Sequence, residues 1–435
     1  MTIDITGTTA ADIADSVRAL RDRGALRPGD PLPPVRELAS SLGVNRNTAV
    51  AAYRQLAQAG LVVSRGRAGT TMAGAGAVAQ EGFASDTVLR DLGTGNPDPA
   101  RIPDPSAALS RIASRPVLYG EPVIDRDLER RAREWVSADL ATSDFRITVT
   151  SGAVDAVERL LAQALTRDDA VALEDPCFLS SIHTVRLGGY RPVPVPVDEE
   201  GMTVDGLRAA LDAGVRAVIC TPRAQNPTGA SLTPERARAL RALLAEHPYV
   251  LVIEDDHFSM LSQQPYESLI AAGHHRFALV RSVSKFLGPD MCLAVTATDP
   301  ATAERLAMRL SPGTTWVSHL LQRLTLAQLT DETVVARIRD TAAHYAARND
   351  AVAARLREVG FEVRSTDGLS LWVGFARPAR DIAERLMRRG WLARTGDEFT
   401  LHEQAAPSTH LRLTVHDLSD DDTSLLVDDL IACAR

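Results

Sequence analysis

The stretch Arg281-Ser282-Val283-Ser284-Lys285-Phe286-Leu287-Gly288-Pro289 contains the only lysine of the chain. The chain has 48 lysine and arginine residues, and all of them except Lys285 are arginine. Arginine stays protonated, whereas a lysine taken out of water can lose its proton and condense with a carbonyl group. A single lysine in so arginine-rich a chain indicates Schiff-base chemistry at Lys285, unless compositional drift has merely spared one surface lysine. The segments that surround it in the chain favour the chemical role.

The surrounding chain alternates short apolar runs with helical stretches. The runs at 171–174, 217–220 and 250–254 are of the buried-strand type, and helices are predicted at 154–165 and 234–245. This alternation predicts an α/β fold with a mostly parallel sheet, whose ligands gather at the carboxyl ends of the strands. A chain of 435 residues is also long enough for two or three domains.

Polar groups follow several of these strands. Thr150-Ser151-Gly152-Ala153 opens a helix, where free backbone N–H groups bind phosphate, although a simple helix cap is an alternative. Phe178 follows another strand, where it would stack on a flat ring or belong to the core. Glu254-Asp255-Asp256-His257 ends a further strand, and an acid beside a pyridine nitrogen keeps that nitrogen protonated. A metal site is the alternative for these four residues, but no second cluster matches it, so no metal is expected.

Residues 1–72 have the pattern of a winged helix-turn-helix. Helices are predicted from Thr9 to Arg23, from about Leu32 and after the cap Asn45, the last with Val50, Tyr53, Leu56 and Ala57 on its apolar face; a hairpin follows at 61–70. The third helix would enter the major groove of DNA. The predicted DNA contacts are Arg46, Asn47 and Thr48 to bases and Arg36, Arg65 and Arg67 to phosphates. The alternative is a small helical docking or oligomerisation module.

Charge and composition divide the chain further. Residues 1–72 hold nine arginines against six acidic residues, whereas the whole chain carries a net charge of −8. A polyanion is therefore expected to meet only this N-terminal head. Residues 73–90 are rich in glycine and alanine and are predicted to be a flexible linker before a body at 91–435. Four scattered cysteines, no signal peptide and no long apolar run indicate a cytoplasmic protein.

The motifs together resemble one family. The segment from Leu32 to Thr48 resembles the GntR class of bacterial repressors, and N-P-T-G, E-D-D and S-x-S-K in that order resemble class I/II aminotransferases. Head and body together resemble the MocR subgroup of GntR regulators. This resemblance implies a winged helix-turn-helix followed by a fold type I domain, with a mostly parallel large sheet and a smaller C-terminal α+β part. It also implies pyridoxal 5'-phosphate as cofactor and a domain-swapped homodimer that binds an operator.

The resemblance also assigns roles to single residues. Lys285 would bind the cofactor covalently, Asp255 would pair with the ring nitrogen, and Asn226 and His257 would contact the ring hydroxyl. Phe178 would stack on the ring. The residues that would hold the phosphate are Ser151, Gly152, Ala153, Ser282 and, from the partner subunit, Tyr119. Arg412 would bind the carboxylate of a substrate or effector, unless it is a surface arginine at a strand end.

The chain departs from the family pattern at two positions. His257 stands where the family usually has tyrosine, and Cys292 stands where it has a phosphate-binding arginine. Loss of that charge-assisted contact costs about 1.5–3 kcal/mol of binding free energy.

Three functions are compatible with these residues. The first is a cofactor-dependent transcriptional regulator that senses an amino compound or pyridoxal phosphate itself. The second is an active aminotransferase with a regulatory or vestigial head. The third is a body that has lost the cofactor and serves only for dimerisation, a reading that Cys292 supports and that Lys285, Asp255 and Asn226 oppose.

Overall fold

The structure is a computed structural model that describes residues 4–58, 61–64, 69–72, 88–112, 115–310, 315–363, 367–401 and 406–435. Two compact units divide the chain, Met1–Gln80 and Glu81–Arg435, referred to below as the head and the body. Arg65 and Arg67, which the sequence predicts to contact DNA phosphates, lie outside the described residues, as does most of the predicted linker.

The head consists of three helices and a small antiparallel sheet. Thr9 caps the first helix, since its hydroxyl accepts the Asp12 N–H and the Asp12 carboxylate accepts the Thr9 N–H. Gly43, in the left-handed conformation, ends the second. The strand order is β1-β3-β2. The elements are α1 (Ala10–Asp22), β1 (Pro31–Leu32), α2 (Val35–Leu42), α3 (Arg46–Gln58), β2 (Val62–Ser64) and β3 (Thr70–Met72).

The third helix packs through a face that coincides only in part with the predicted one. Ala49, Ala52, Tyr53 and Leu56 are buried, whereas Val50 is 43% exposed and Ala57 is also exposed. The buried positions follow the i, i+3, i+4, i+7 spacing of one helical face. The prediction for Val50 and Ala57 was therefore wrong, because small alanines rather than the larger valine supply that face.

The body is built on one large mixed sheet. Its strand order is β5-β12-β11-β10-β9-β6-β7-β8, parallel from β11 to β7, with β12 antiparallel to both of its neighbours. Its strands are β5 (Arg146–Thr150), β6 (Ala170–Asp175), β7 (Arg191–Asp198), β8 (Gly201–Met202), β9 (Ala217–Cys220), β10 (Leu251–Asp256), β11 (Phe277–Ser282) and β12 (Ala294–Thr298).

Helices cover both faces of this sheet. One face packs through Val252 and Leu279 into the larger core, and the other packs through Ile253 and Val280 into a second core. The helices of this part are α4 (Ser106–Leu109), α5 (Arg126–Ser137), α6 (Ala153–Ala164), α7 (Leu179–Leu187), α8 (Val204–Asp212), α9 (Pro234–Ala245), α10 (Ser284–Leu287), α11 (Pro300–Leu310) and α12 (His319–Leu329).

The C-terminal part of the body forms a smaller α+β layer. An antiparallel sheet of order β13-β14-β17-β16 packs with three helices around its own core. Arg90, which the sequence analysis assigned to the flexible linker, instead forms β4 with Asp91 and pairs in parallel with β15. The elements are β4 (Arg90–Asp91), α13 (Glu332–Glu358), β13 (Glu362–Val363), β14 (Ser370–Gly374), α14 (Ala379–Met387), β15 (Trp391–Leu392), β16 (Arg394–Thr395), β17 (His410–Thr414) and α15 (Asp420–Ala434).

Within the described part of the chain, no helix combines the length and the apolar character needed to span a bilayer.

Candidate functional site

Lys285 lies in the short helix α10, directly after the carboxyl end of β11. Its side chain is half-buried, and its ammonium donates a hydrogen bond to the carbonyl of Gly95 at 2.7 Å. The same small cavity, with a volume of about 30 Å³, is lined by Lys285, Asn226, His257 and Arg412. Four of the predicted site residues, far apart in sequence, therefore meet at one point.

Asp255 ends β10 on the face of the sheet opposite to its neighbours Glu254 and Asp256. It is 7% exposed, and its Oδ1 is buried without a hydrogen-bond partner among the described residues. The pKa of Asp255 is raised to about 7, mainly by burial and also by the nearby Asp256 carboxylate, while Lys285 lowers it. A buried carboxylate oxygen without a donor is costly, which indicates a site built for a donor that the protein does not supply.

Asp256 points to the other face and belongs to a buried ion-pair network. Its carboxylate accepts from Arg223 at 2.9 Å and from Arg281 at 2.7 Å, and Arg281 also pairs with Asp139. Burial opposes the charged form of Asp256, but the guanidinium groups of Arg281 and Arg223 outweigh it and lower its pKa to about 2. The arginines of this network are a feature that the sequence analysis missed.

Alternation along the strand also bears on the metal alternative. Successive side chains of a strand point to opposite faces, so Asp255 and Asp256 cannot bind one ion together. Glu254 lies on the same face as Asp256, where it accepts hydrogen bonds from Tyr266 at 2.7 Å and from Ser268 at 3.0 Å. Among the residues that the structure describes, no group of three or more His, Cys, Asp or Glu side chains is arranged to hold a metal ion.

Asn226 and Arg412 are in direct contact. The Nη1 of Arg412 donates to the Oδ1 of Asn226 at 3.1 Å, and its Nη2 donates to the carbonyl of Gly93 at 2.6 Å. Arg412 is 1% exposed, so it is not a surface arginine. The strand neighbour Arg394, which the sequence analysis did not single out, also donates to Gly93, at 3.1 Å.

The predicted aromatic residues are distributed unevenly. His257 is half-buried and lines the cavity of Lys285. Phe178 caps α7 directly after β6, also half-buried, and the structure records no ring pair between it and another aromatic side chain among the described residues. Tyr119 is 88% exposed, and its ring lies 5.3 Å from that of Trp316. Tyr119 does not line the Lys285 cavity of its own chain.

The residues predicted to hold phosphate lie at the start of α6. Gly152 has a φ of +91°, and a Cβ at this position would meet the Sγ of Cys292 at 3.5 Å. The thiol of Cys292 donates to the carbonyl of Ser151 at 3.3 Å. Cys292 therefore lies beside the predicted phosphate position, where a larger cationic side chain would reach the same helix start. Ser282, which precedes Lys285 in the same motif, is buried. Its hydroxyl accepts a hydrogen bond from the Ser284 N–H.

An acidic residue shares this helix start. The Oδ2 of Asp155 accepts from the Ser151 N–H at 3.0 Å, and its Oδ1 pairs with Arg159 at 2.6 Å. A carboxylate at a helix N-terminus occupies a position that also favours phosphate. The sequence analysis missed Asp155, although its place three residues after Gly152 is a recognisable capping position.

The residues present fit pyridoxal phosphate at its ring and amine end. The buried oxygen of Asp255 suits a pyridinium N–H, and Lys285 supplies the only side-chain amine. At the other end, Gly152 leaves the helix start open to a phosphate, but Cys292 contributes no charge.

Three of the side chains predicted to contact DNA, Arg36, Arg46 and Asn47, are exposed. Asn45 caps α3, since its Oδ1 accepts the Asn47 N–H at 2.8 Å. Arg46 and Asn47 are exposed in the first turn, and Thr48 is half-buried. Val50, one turn further, adds an exposed apolar group of the kind that contacts thymine methyl groups. Arg36 of α2 is exposed as well.

Comparisons with known proteins agree with both units. Residues 9–72 match the family described as bacterial regulatory proteins, gntR family, and residues 89–430 match aminotransferase class I and II. The chain is 46% identical over 427 residues to the vitamin B6 salvage pathway transcriptional repressor PtsJ of Salmonella typhimurium, covering 98% of both chains. It is 30% identical over 293 residues to the pyridoxine biosynthesis regulator PdxR of Corynebacterium glutamicum, covering 64% of this chain and 63% of that one.

Solved structures match the body. The kynurenine aminotransferase of Pyrococcus horikoshii superposes with a TM-score of 0.71 at 21% identity, covering 80% of this chain and 92% of its own. The α-aminoadipate aminotransferase LysN of Thermus thermophilus gives 0.69 at 22% identity, with coverage of 80% and 92%. These likenesses confirm the fold type I architecture. The chain belongs to the MocR-type regulators, in which a gntR-family DNA-binding head is joined to an aminotransferase class I and II body of the pyridoxal-phosphate type.

Proposed function

We propose that this regulator represses genes of vitamin B6 salvage and that pyridoxal phosphate is an effector. The observation that carries the proposal is the meeting of the sole lysine with Asn226 and Arg412 in one cavity, in a chain that also has a DNA-binding head. The relative of 46% identity, named as a vitamin B6 salvage repressor, supports the choice of regulated pathway.

The body's own residues would each have a separate task. Lys285 would bind the cofactor covalently, and Asp255 would hold a proton on the ring nitrogen through its buried oxygen. Asn226 would be kept in place by Arg412, with which it shares a hydrogen bond. When bound, pyridoxal phosphate supplies an aldehyde carbon for amines and a ring that withdraws electrons from it.

We also propose that the functional form is a cytoplasmic homodimer. The exposed Tyr119, whose ring packs beside the half-buried Trp316, would face the partner subunit and reach the phosphate end of the partner's site. A two-fold dimer presents two heads, so paired half-sites are the expected operator geometry. Arg46, Asn47 and Val50 would contact bases, and Arg36 would contact the DNA backbone.

The test begins with a DNA library from which the full-length protein selects its operator. Binding to that operator is then measured by fluorescence anisotropy while pyridoxal phosphate is titrated, and the absorption spectrum of the protein is recorded in parallel. We expect the affinity for DNA to change over the same concentration range in which a protein-bound cofactor band appears. Pyridoxine 5'-phosphate, which keeps the phosphate but lacks the aldehyde, is the matched control. An affinity for the operator that does not change when pyridoxal phosphate is added would refute the proposal.

An active aminotransferase is the second candidate. It is favoured by the contact between Asn226 and Arg412 and by the placement of Lys285 in the same cavity. Turnover of ordinary size, about 1–10³ per second, with an amino acid and a keto acid would support this candidate. Operator binding that responds to ligand, with turnover far below that range, would favour the regulator.

A further inference from the structure

Residues 93–98, here called the strap, cross the site and are held by its two cationic side chains. The carbonyl of Gly95 accepts from the Lys285 ammonium at 2.7 Å. The carbonyl of Gly93 accepts from Arg412 at 2.6 Å and from Arg394 at 3.1 Å. The amine of Lys285 and the guanidinium of Arg412 therefore both contact backbone carbonyls of the strap. These are the same two groups with which a cofactor aldehyde and a ligand carboxylate would interact.

A second set of contacts holds the strap without using charge. The Gly95 N–H donates to the hydroxyl of Thr414 at 3.1 Å, and the Asp98 N–H donates to the hydroxyl of Tyr345 at 2.9 Å. The ring of His416 lies 3.1 Å from the carbonyl of Asn96. Thr414, Tyr345 and His416 are at most 2% exposed, so these anchors are fixed in the core of the body.

The strap also lies on the path of the chain from the head to the body. The residue before it, Leu92, is buried, and its carbonyl accepts from the Thr414 N–H. Before that, β4 pairs with β15, and Arg90 forms an ion pair with Asp422. Only a few residues therefore separate the strap, along the chain, from the segment that leads to the head.

We propose that the strap is the element that reports ligand binding to the head, and that it is released in two steps by two chemical groups. The proposal rests on the proposed function of the body as a sensor. An aldehyde cofactor releases Gly95 by reacting with Lys285. The carboxylate of an amino acid releases Gly93 by binding Arg412. The full effector is therefore an amino acid together with the cofactor, and a simple amine gives at most the first step.

The chemistry of the first step accounts for the loss of the Gly95 contact. The ammonium of Lys285 gives up one proton, and the freed lone pair forms the first bond to the aldehyde carbon. The second bond of C=N forms as the two remaining N–H hydrogens leave with the aldehyde oxygen as water. The nitrogen is then planar and carries at most one proton in place of three, so the ammonium's hydrogen bond to Gly95 is lost.

The second step is a competition between two acceptors. A carboxylate carries a negative charge and offers two oxygens to the planar guanidinium group, whereas the Gly93 carbonyl offers one neutral oxygen. The carboxylate is therefore the stronger partner for Arg412. Arg394, which also pairs with Glu398, would remain on Gly93 and limit how far the strap moves.

Amide hydrogen exchange of the full-length protein tests both steps with three probes. Pyridoxal phosphate engages Lys285, N-phosphopyridoxyl-L-alanine offers a carboxylate but no aldehyde, and N-phosphopyridoxyl-ethylamine offers neither. We expect the first two to increase exchange at Gly95 and Asp98 by at least about threefold, a detectable change in local opening. The third should leave it unchanged. Equal effects of the two phosphopyridoxyl compounds would overturn the carboxylate step.

A pair of variants tests the link to DNA binding. Thr414→Val removes the acceptor of the Gly95 N–H and leaves Lys285 and Arg412 in place. Ser370→Ala removes only the side chain with which the Thr414 hydroxyl also forms a hydrogen bond. We expect T414V without ligand to bind DNA as the liganded wild type does, and S370A to behave as the unliganded wild type.

The outcomes separate the two proposals. If the cofactor band forms and DNA binding responds while exchange at residues 92–98 stays constant, the strap proposal fails and the sensor function stands. If no cofactor binds and DNA binding ignores every probe, the sensor function fails. The exchange measurement on the wild type decides the strap proposal even if T414V does not fold.

Discussion

The two ends of the proposed cofactor site differ in how completely they supply the groups that the cofactor would need. The ring end, formed by Lys285, Asp255, Asn226 and Arg412, is buried or half-buried and has a complete set of chemical groups. The phosphate end, formed by Ser151, Gly152, Asp155 and Cys292, has an open helix start but an acid in place of a cation. The proposed covalent anchor at one end would thus be accompanied by weaker electrostatic binding of the phosphate at the other. This combination suits a protein that must release its cofactor when the concentration falls.

The largest expected effect is at the ring end. Lys285→Arg keeps a positive charge near Gly95 but cannot condense with an aldehyde. We expect the protein-bound absorption band to disappear and the affinity for pyridoxal phosphate to fall by at least about two decades, or about 2.7 kcal/mol. Ser284→Ala, beside it, is the control. If K285R retained wild-type affinity, the phosphate end would be the true anchor and the comparison would be reversed.

The next effect concerns protein stability and pH. Because burial raises the pKa of Asp255 from 3.8 to about 7, the folded chain binds more protons than the unfolded chain between these values. The stability contributed by the protonated form is complete below pH 3.8 and is lost as pH rises towards 7. Asp255→Asn removes this dependence, so its free energy of unfolding at pH 7 should exceed that of the wild type by about 1–4 kcal/mol.

Chemical denaturation of both proteins at pH 5 and pH 7 measures this difference. Glu254 and Glu174 also have pKa values raised to about 7 by burial, so a residual slope is expected in the variant. Asp256→Asn is the contrasting variant, since it breaks the ion pairs with Arg223 and Arg281 and should destabilise the fold at both pH values. Identical slopes in D255N and wild type would show that Asp255 is solvated.

At the phosphate end, Cys292→Arg should restore a charge-assisted contact. We expect the dissociation constant for pyridoxal phosphate to fall by about one to two decades, equivalent to about 1.5–3 kcal/mol. Cys292→Ser, which adds no charge, should leave it unchanged. The measurement is a fluorescence titration at equilibrium, and equal constants for the three proteins would show that the phosphate does not depend on this position.

The smallest effect is expected at Asp155. Asp155→Asn keeps an acceptor for the Ser151 N–H but removes a negative charge from the helix start. Charges at helix ends contribute about 0.3–1 kcal/mol, so the affinity for the cofactor should rise roughly two- to fivefold. Inorganic phosphate should compete more strongly in the variant, and the gain should shrink at high salt. A gain that ignores salt would contradict an electrostatic origin.

Local pattern was sufficient to predict the mostly parallel sheet of the body, whereas its smaller C-terminal α+β part was implied only by the family resemblance. The apolar run at 171–174 lies within β6 and the run at 217–220 coincides with β9. The run at 250–254 begins one residue before β10 and ends two residues before that strand does. The agreement arises because buried parallel strands are continuous apolar segments. The cap Asn45 and the helix start at Gly152 were visible for the same reason, since each depends on a few neighbouring residues. What the pattern misjudged, such as Val50, lay on a helix whose buried face is made of small side chains.

The contacts that decide the site depend on distant residues. Arg412 reaches Gly93, and Asn226 lies beside Arg412, only because β17 and the loop after β9 meet at one edge of the fold. No periodicity links such positions. The role of Arg281 was hidden for another reason, because its partner Asp256 can be assigned only once the strand shows which carboxylate faces which side. The sequence motifs therefore indicated which residue types belong to the site. Which groups each of them contacts could be determined only from the fold.

The alternation of Asp255 and Asp256 also limits how this chain can evolve. Inserting or deleting one residue earlier in β10 would turn Asp256 towards the proposed position of the cofactor ring and Asp255 towards Arg223 and Arg281. The sequence of the motif itself would be unchanged. Asp255 and Asp256 would then exchange their surroundings. One of these surroundings requires a carboxylate oxygen that is free to accept, and the other requires a carboxylate that stays ion-paired. Point substitutions within this strand can be absorbed by repacking, whereas changes in its length cannot, so gaps in an alignment are expected to avoid it.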